Sequence, residues 1–158
     1  MSLAAESSLI DNRRPELAGQ YLSFRLGDEA YALPVRHVRE IIEMQVLTPV
    51  PRCPETVRGV INLRGKVVPI IDPLVRFGGR SVKQTDSTVM VLVHSASGMP
   101  VGLLVDEVMD VLDVDGDSLN APPGTHGRER GGVLAAVANV KDQVVFVLEL
   151  DRLLPDDV

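Results

Sequence analysis

The groups most able to do chemistry in this chain are three histidines, one cysteine, an acidic loop and a glycine-bearing lysine segment. His37, His94, His126 and Cys53 share no spacing that would gather them around a transition metal. Residues 113–124, DVDGDSLNAPPG, place acids at the first, third and fifth positions of a calcium loop. Ser118 then stands where the turn glycine is required, and Gly124 where the bidentate glutamate must be, so the loop fails as a calcium site. GGRSVK (78–83) has neither the spacing of a phosphate-binding loop nor a hydroxyl after its lysine. No G-x-S-x-G elbow is present. The expectation is a protein with no enzyme activity, no metal and no cofactor.

What remains is charge placed for contact. Arg64 precedes Gly65 between the apolar runs VINL (60–63) and KVVPII (66–71), the pattern of a tight hairpin. Glycine supplies the positive φ of such a turn, and an arginine at its tip can fork onto a partner carboxylate. The plainer alternative is a solvated turn arginine. Glu40 and Arg64 have counterparts in Asp110 and Lys141, so an acid and a base recur in both halves. Each pair is expected to form a salt bridge within its own barrel, and two independent surface charges are the alternative. An exposed pair stabilises little, so its value would be in aiming the arginine.

The elements that position these groups read as short strands. YLSFRL (21–26) and AYALPV (30–35) flank Gly27-Asp28, and TVMVLV (88–93) and VGLLV (101–105) flank HSASGMP. VANV (137–140) and VVFVLEL (144–150) flank Lys141-Asp142-Gln143. Segments near 36–44 and 74–78 are each expected to form a short helical turn. Hydrophobic residues make up 45% of the chain but aromatics only 3%, so the core rests on β-branched and leucine side chains, which favour strands.

The chain also repeats itself. LPVRHVREII (33–42) aligns with LLVDEVMDVL (103–112) at an offset of 70, and GVINLRGKVVPIID (59–72) with AVANVKDQVVFVLE (136–149) at 77. The seven-residue difference falls in the glycine-rich loop PPGTHGRERGG (122–132), where an insertion is tolerated. Two related units of about five strands each predict an all-β fold of two small barrels packed together.

Net charge is −6 and there is no tryptophan, which argues against a phosphate-backbone or base-stacking surface, although small tandem barrels bind nucleic acid in other settings. The single cysteine fits a reducing compartment. The first 19 residues are polar and expected to fray, lack the apolar stretch of a signal peptide, and no later run is long enough to enter a membrane. A soluble cytoplasmic protein is expected.

VRGVINLRGKVVPIID (57–72), preceded by FRLGDEAYAL (24–33) and VREII (38–42), closely resembles the bacterial chemotaxis coupling family CheW, and VGLLVDEVMDVL (101–112) is similar to the matching later part. The resemblance spans about residues 20–154 as a single CheW-like domain. It departs at Pro73, where the family usually has leucine, and in stopping soon after DRLL (151–154). It implies two SH3-like five-stranded barrels, one over about 20–85 and one over about 86–154, with a tail at 155–158. An exchange of strands by the chain ends stays open. The implied role is a stand-alone, non-enzymatic adaptor between the cytoplasmic tip of a chemoreceptor and the regulatory domain of the histidine kinase CheA. Arg64, Glu40, Gly65, Val35, Val38 and Ile41 are then the candidates for receptor contact. Val105, Val108, Asp110 and Lys141 are the candidates for kinase contact. Most of the valines and isoleucines among them are expected to be core, the alternative being that some line an apolar groove between the barrels that takes a receptor helix.

Overall fold

The computed structural model describes residues 13–122 and 132–155, so His126, the first twelve residues and most of the glycine-rich loop lie outside the described part. Among the described residues eleven strands form two sheets. β3 (Val38–Glu43), β4 (Val57–Leu63), β5 (Lys66–Ile71), β6 (Val89–His94) and β7 (Pro100–Val105) make one, in the order β3-β6-β7-β5-β4. The other contains β1 (Gly19–Leu26), β2 (Glu29–Pro34), β8 (Glu107–Val114), the two-residue β9 (Leu119–Asn120), β10 (Leu134–Val140) and β11 (Gln143–Leu148). Its order is β8-β1-β2-β11-β10-β9. Barrel I is therefore built from the continuous middle of the chain and barrel II from its two ends. A boundary at residue 85 would cut barrel I between β5 and β6.

The repeat is visible in the register. β5 runs parallel to β7 with Ile70 opposite Gly102, and β11 runs parallel to β2 with Val147 opposite Ala32, the same pairing at offsets of 77 and 70. A bulge interrupts β3 between Val38 and Glu40, and its equivalent sits opposite Ser23 and Phe24, where Asp110 and Val108 pair on β8. A second bulge lies between Val57 and Gly59 on β4, matched between Leu134 and Ala136 on β10. Unpaired residues at matching positions record one unit folded twice, because a bulge is a specific register choice. Each repeat gives its first hairpin to the barrel completed by the other repeat's last three long strands. The chain crosses between barrels at Val35–His37 and again at Asp106, equivalent positions.

Two expectations change. The segment 36–44 is not a helical turn: after a single 3-10 turn at Val35–His37 it is strand β3, exposed and half-buried residues alternating. Val38, Ile41 and Ile42 are β-branched, and pairing with β6 satisfies their backbone groups. Residues 13–18 are also held rather than frayed. The Arg14 amide donates to the Leu119 carbonyl at 2.8 Å, Pro15 opens a 3-10 turn, and the Tyr21 hydroxyl donates to the Leu17 carbonyl. The expected turn near 74–78 forms as helix α1 (Pro73–Arg76), started by Asp72, whose carboxylate accepts from the Leu74 and Val75 amides. A last helical turn, α2 (Leu150–Leu153), closes the described chain.

The larger core lies between and within the barrels, with Phe24 and Leu33 of barrel II against Ile70, Met90, Leu103 and Leu104 of barrel I. Tyr31 of β2 stacks on Phe77, just after α1, at 5.2 Å between ring centroids and meets Phe146 of the neighbouring β11 at 5.5 Å, so one ring contact reaches from barrel II to the segment that follows β5 and the other lies within barrel II. A smaller cluster around Tyr21, Leu119 and Val147 fills barrel II.

Candidate docking site

Arg64 sits at the tip of the β4–β5 hairpin, and Leu63 and Lys66 pair directly across a two-residue turn. Arg64 has φ 51° and Gly65 φ 86°, so both central residues are left-handed, as hairpin twist demands. Glycine alone therefore does not make the turn. Arg64 itself takes the costly conformation, and the Gly65 amide is fastened by the Asn62 side-chain oxygen at 3.0 Å. The turn aims Arg64 across the barrel mouth at Glu40, which follows the β3 bulge. Two parallel hydrogen bonds of 2.9 and 2.8 Å join guanidinium and carboxylate fork to fork. Those hydrogen bonds hold the Glu40 carboxyl below its ordinary range. Two-thirds of the Arg64 side chain stays exposed, so the pair is presented outward.

The second barrel repeats the frame and not the bridge. Lys141 and Asp142 both have positive φ, at 51° and 64°, in the same two-residue turn. Among the described residues no ion pair joins Lys141 to Asp110. The Asp110 carboxylate instead accepts from the next amide, Val111, at 2.8 Å, and its backbone is fixed by the Ser23 hydroxyl. An aspartate is one methylene shorter than a glutamate, and an ammonium lacks the second arm of a fork, so the expected second bridge is lost.

The remaining candidates divide by burial. Ile41 is 43% exposed on β3 and Gly65 is exposed at the tip, while Val35, Val38 and Val108 are half-buried, the latter two packed against the core. Val105 has no exposed surface and cannot touch a partner: it ends β7 inside the larger core. The expectation that it meets the kinase is corrected. Val67, 64% exposed beside the arginine tip, and Val144, 53% exposed at the matching place, were not singled out by sequence. Their signal was the strand alternation that turns Val68 and Val145 inward and their predecessors outward.

A family model described as a CheW-like domain matches residues 20–158. The chain belongs to the CheW-like domain family. It is 33% identical to the chemotaxis protein CheW of Rhizobium meliloti (strain 1021) over 138 residues, 87% of this chain and 88% of that one. It is 28% identical over 155 residues to protein FrzA of Myxococcus xanthus, 96% of this chain and 94% of that one. A solved structure, the scaffolding protein TtCheW from Thermoanaerobacter tengcongensis, superposes with a TM-score of 0.79 at 29% identity, covering 87% of this chain and 92% of the other. Membership confirms the two-barrel β fold and puts the chain among chemotaxis scaffolds, which are not enzymes. Among the described residues no helix is long and apolar enough to cross a membrane.

Proposed function

We infer that this protein couples the cytoplasmic tips of chemoreceptors to the regulatory domain of the histidine kinase CheA, acting in the cytoplasm as an adaptor within receptor arrays. The observation that carries the reading is the Arg64–Glu40 fork on a left-handed hairpin tip. An outward guanidinium already oriented by its own carboxylate loses little freedom on binding, and a preorganised arginine suits a contact that must be made repeatedly. Arg64, Glu40 and Gly65, with exposed Ile41 and half-buried Val35 and Val38, form the receptor side on barrel I. Asp110 and Lys141, beside half-buried Val108, form the kinase side on barrel II. Binding at both sides holds kinase and receptor together without any reaction by the adaptor itself. Net charge −6 disfavours the alternative of a nucleic-acid partner.

The test is reconstitution of receptor signalling fragment, kinase and adaptor. Receptor-controlled kinase autophosphorylation should rise when the adaptor is added, and an unchanged output would refute the coupling. The similarity to FrzA over nearly the whole chain favours a second setting, a chemosensory system other than the flagellar one. Deleting the gene and scoring swimming against surface motility separates the two.

A further inference from the structure

Each barrel has a cleft between its bulged strand and its hairpin tip, and the two clefts are lined by equivalent residues. In barrel I the lining includes Arg39, Glu40, Leu63, Arg64, Lys66 and Val68, around about 220 Å³. In barrel II it includes Met109, Asp110, Val140, Lys141, Gln143 and Val145, around about 260 Å³. Every residue of the second set lies 70 or 77 positions after its partner in the first. The apolar floor is kept, Leu63 and Val68 becoming Val140 and Val145. Exposed apolar neighbours are kept as well, Ile41 and Val67 becoming Val111 and Val144.

What changes is charge, and always in one direction. Arg39 becomes Met109, Gly65 becomes Asp142 and Lys66 becomes Gln143, each lowering the net charge by one unit. Arg39, Arg64 and Lys66 against Glu40 leave the barrel I mouth with two positive charges. Lys141 is balanced by Asp110, and Asp142 leaves the barrel II mouth with one negative charge. Inside barrel I the acid is capped by its own arginine. Among the described residues the Asp110 carboxylate of barrel II accepts from its neighbour's amide alone.

We propose that the two mouths are one docking frame made selective by charge, and that the barrel II mouth takes a basic side chain, an arginine or lysine projecting from an aliphatic surface of the kinase regulatory domain. This rests on the reading that barrel II faces the kinase. The incoming cation stands where Arg64 stands in barrel I, against Asp110 and Asp142, with Met109, Leu112 and Val140 of the cleft lining supplying the aliphatic surround. The positive mouth of barrel I rejects the same partner, so like charge keeps the two partners from exchanging places.

The experiment uses the full chain carrying Met109→Arg, Asp142→Gly and Gln143→Lys together, which gives barrel II the charge of barrel I. All three positions are exposed, and glycine relieves the left-handed backbone at Asp142, so melting should hold. Kinase-domain binding should weaken roughly tenfold or more, and its decline with added salt should flatten. Receptor-fragment binding should not change. If the unmodified protein does not bind the kinase domain, the reading of barrel II fails. If it binds and Met109→Trp, which blocks the mouth without changing its charge, abolishes binding while the charge variant binds normally, the face stands and the proposal is overturned. Normal binding by both variants overturns it too, since the kinase then docks elsewhere.

Discussion

Glu40 and Arg64 are 24 residues apart in sequence, on the bulged strand and on the hairpin tip, and they meet through two hydrogen bonds at the mouth of barrel I. The bulge between Val38 and Glu40 shifts the glutamate's side of the strand, and the left-handed turn swings the arginine back over it. Neither feature alone would bring the fork together.

Arg64→Ala should therefore leave the fold intact and weaken receptor-fragment binding roughly tenfold or more. Glu40→Ala should give a milder defect, and the double variant should lose less than the sum. Titration calorimetry on the four proteins measures the coupling. Glu40 has its pKa lowered by Arg64, so the coupling is complete above the ordinary glutamate range and disappears only as pH falls through the lowered value. Additive losses at neutral pH would show two independent charges.

Asp72 should matter for stability and not for binding. Its fully buried carboxylate accepts from Arg58 at 2.8 Å and from the Val82 amide at 2.9 Å, besides starting α1. Asp72→Ala leaves the Val82 amide without its acceptor and Arg58 with only the longer 3.3 Å bond to the Val82 carbonyl, and should cost about 2–4 kcal/mol. Thermal melting should fall by about 10 °C, and Asp72→Asn should recover part of the loss by keeping the cap.

His37 should make stability depend on pH. Burial, then the nearby Arg36, lowers its pKa below 6.5, against smaller opposing effects of Asp151 and Glu149. The unfolded chain then binds a proton more readily than the folded one. Stability is fully present above pH 6.5 and declines as pH falls below it, until the folded value is passed. His37→Gln should flatten this part of a denaturation series between pH 5 and 7.5, and an unchanged slope would assign it to other groups.

Two glycines with positive φ should respond differently to alanine. A Cβ on Gly59 would stand 2.7 Å from the Thr48 carbonyl oxygen, in the bridge where Thr48 and Val60 exchange two 2.9 Å hydrogen bonds. Gly59→Ala should cost about 2 kcal/mol or more and free the 44–56 segment for proteolysis. Gly65 meets nothing within 4 Å, so Gly65→Ala should cost only about 1 kcal/mol of backbone strain.

The hairpin tips were legible in sequence because two polar residues between apolar runs leave few other solutions. The duplication was legible because its two offsets differ by one loop insertion. The bulges at Arg39 and Met109 were not, since one extra residue in a strand looks like ordinary loss of alternation. That slip also made VREII resemble a helical turn. Val105 was misjudged because its repeat partner Val35 stands at the first crossing between barrels, half-buried, whereas Val105 finishes a central strand. Which hairpin joins which barrel depends on pairings such as Ser23 with Asp110, 87 residues apart, and distant pairing leaves no local mark.

That separation gives the protein an order of assembly during synthesis. The β1–β2 hairpin leaves the ribosome first, yet its partners β8, β10 and β11 follow only after all of barrel I has been made. At about 5–20 residues per second the wait is on the order of several seconds. Throughout it Phe24, Leu26 and Leu33 have no barrel of their own to close, and their first available surface is the newly folded barrel I against which they finally pack. Barrel I is thus available to the nascent chain as a template, and the mouth formed by Asp110 and Lys141 can close only after the strands of barrel I have all been made.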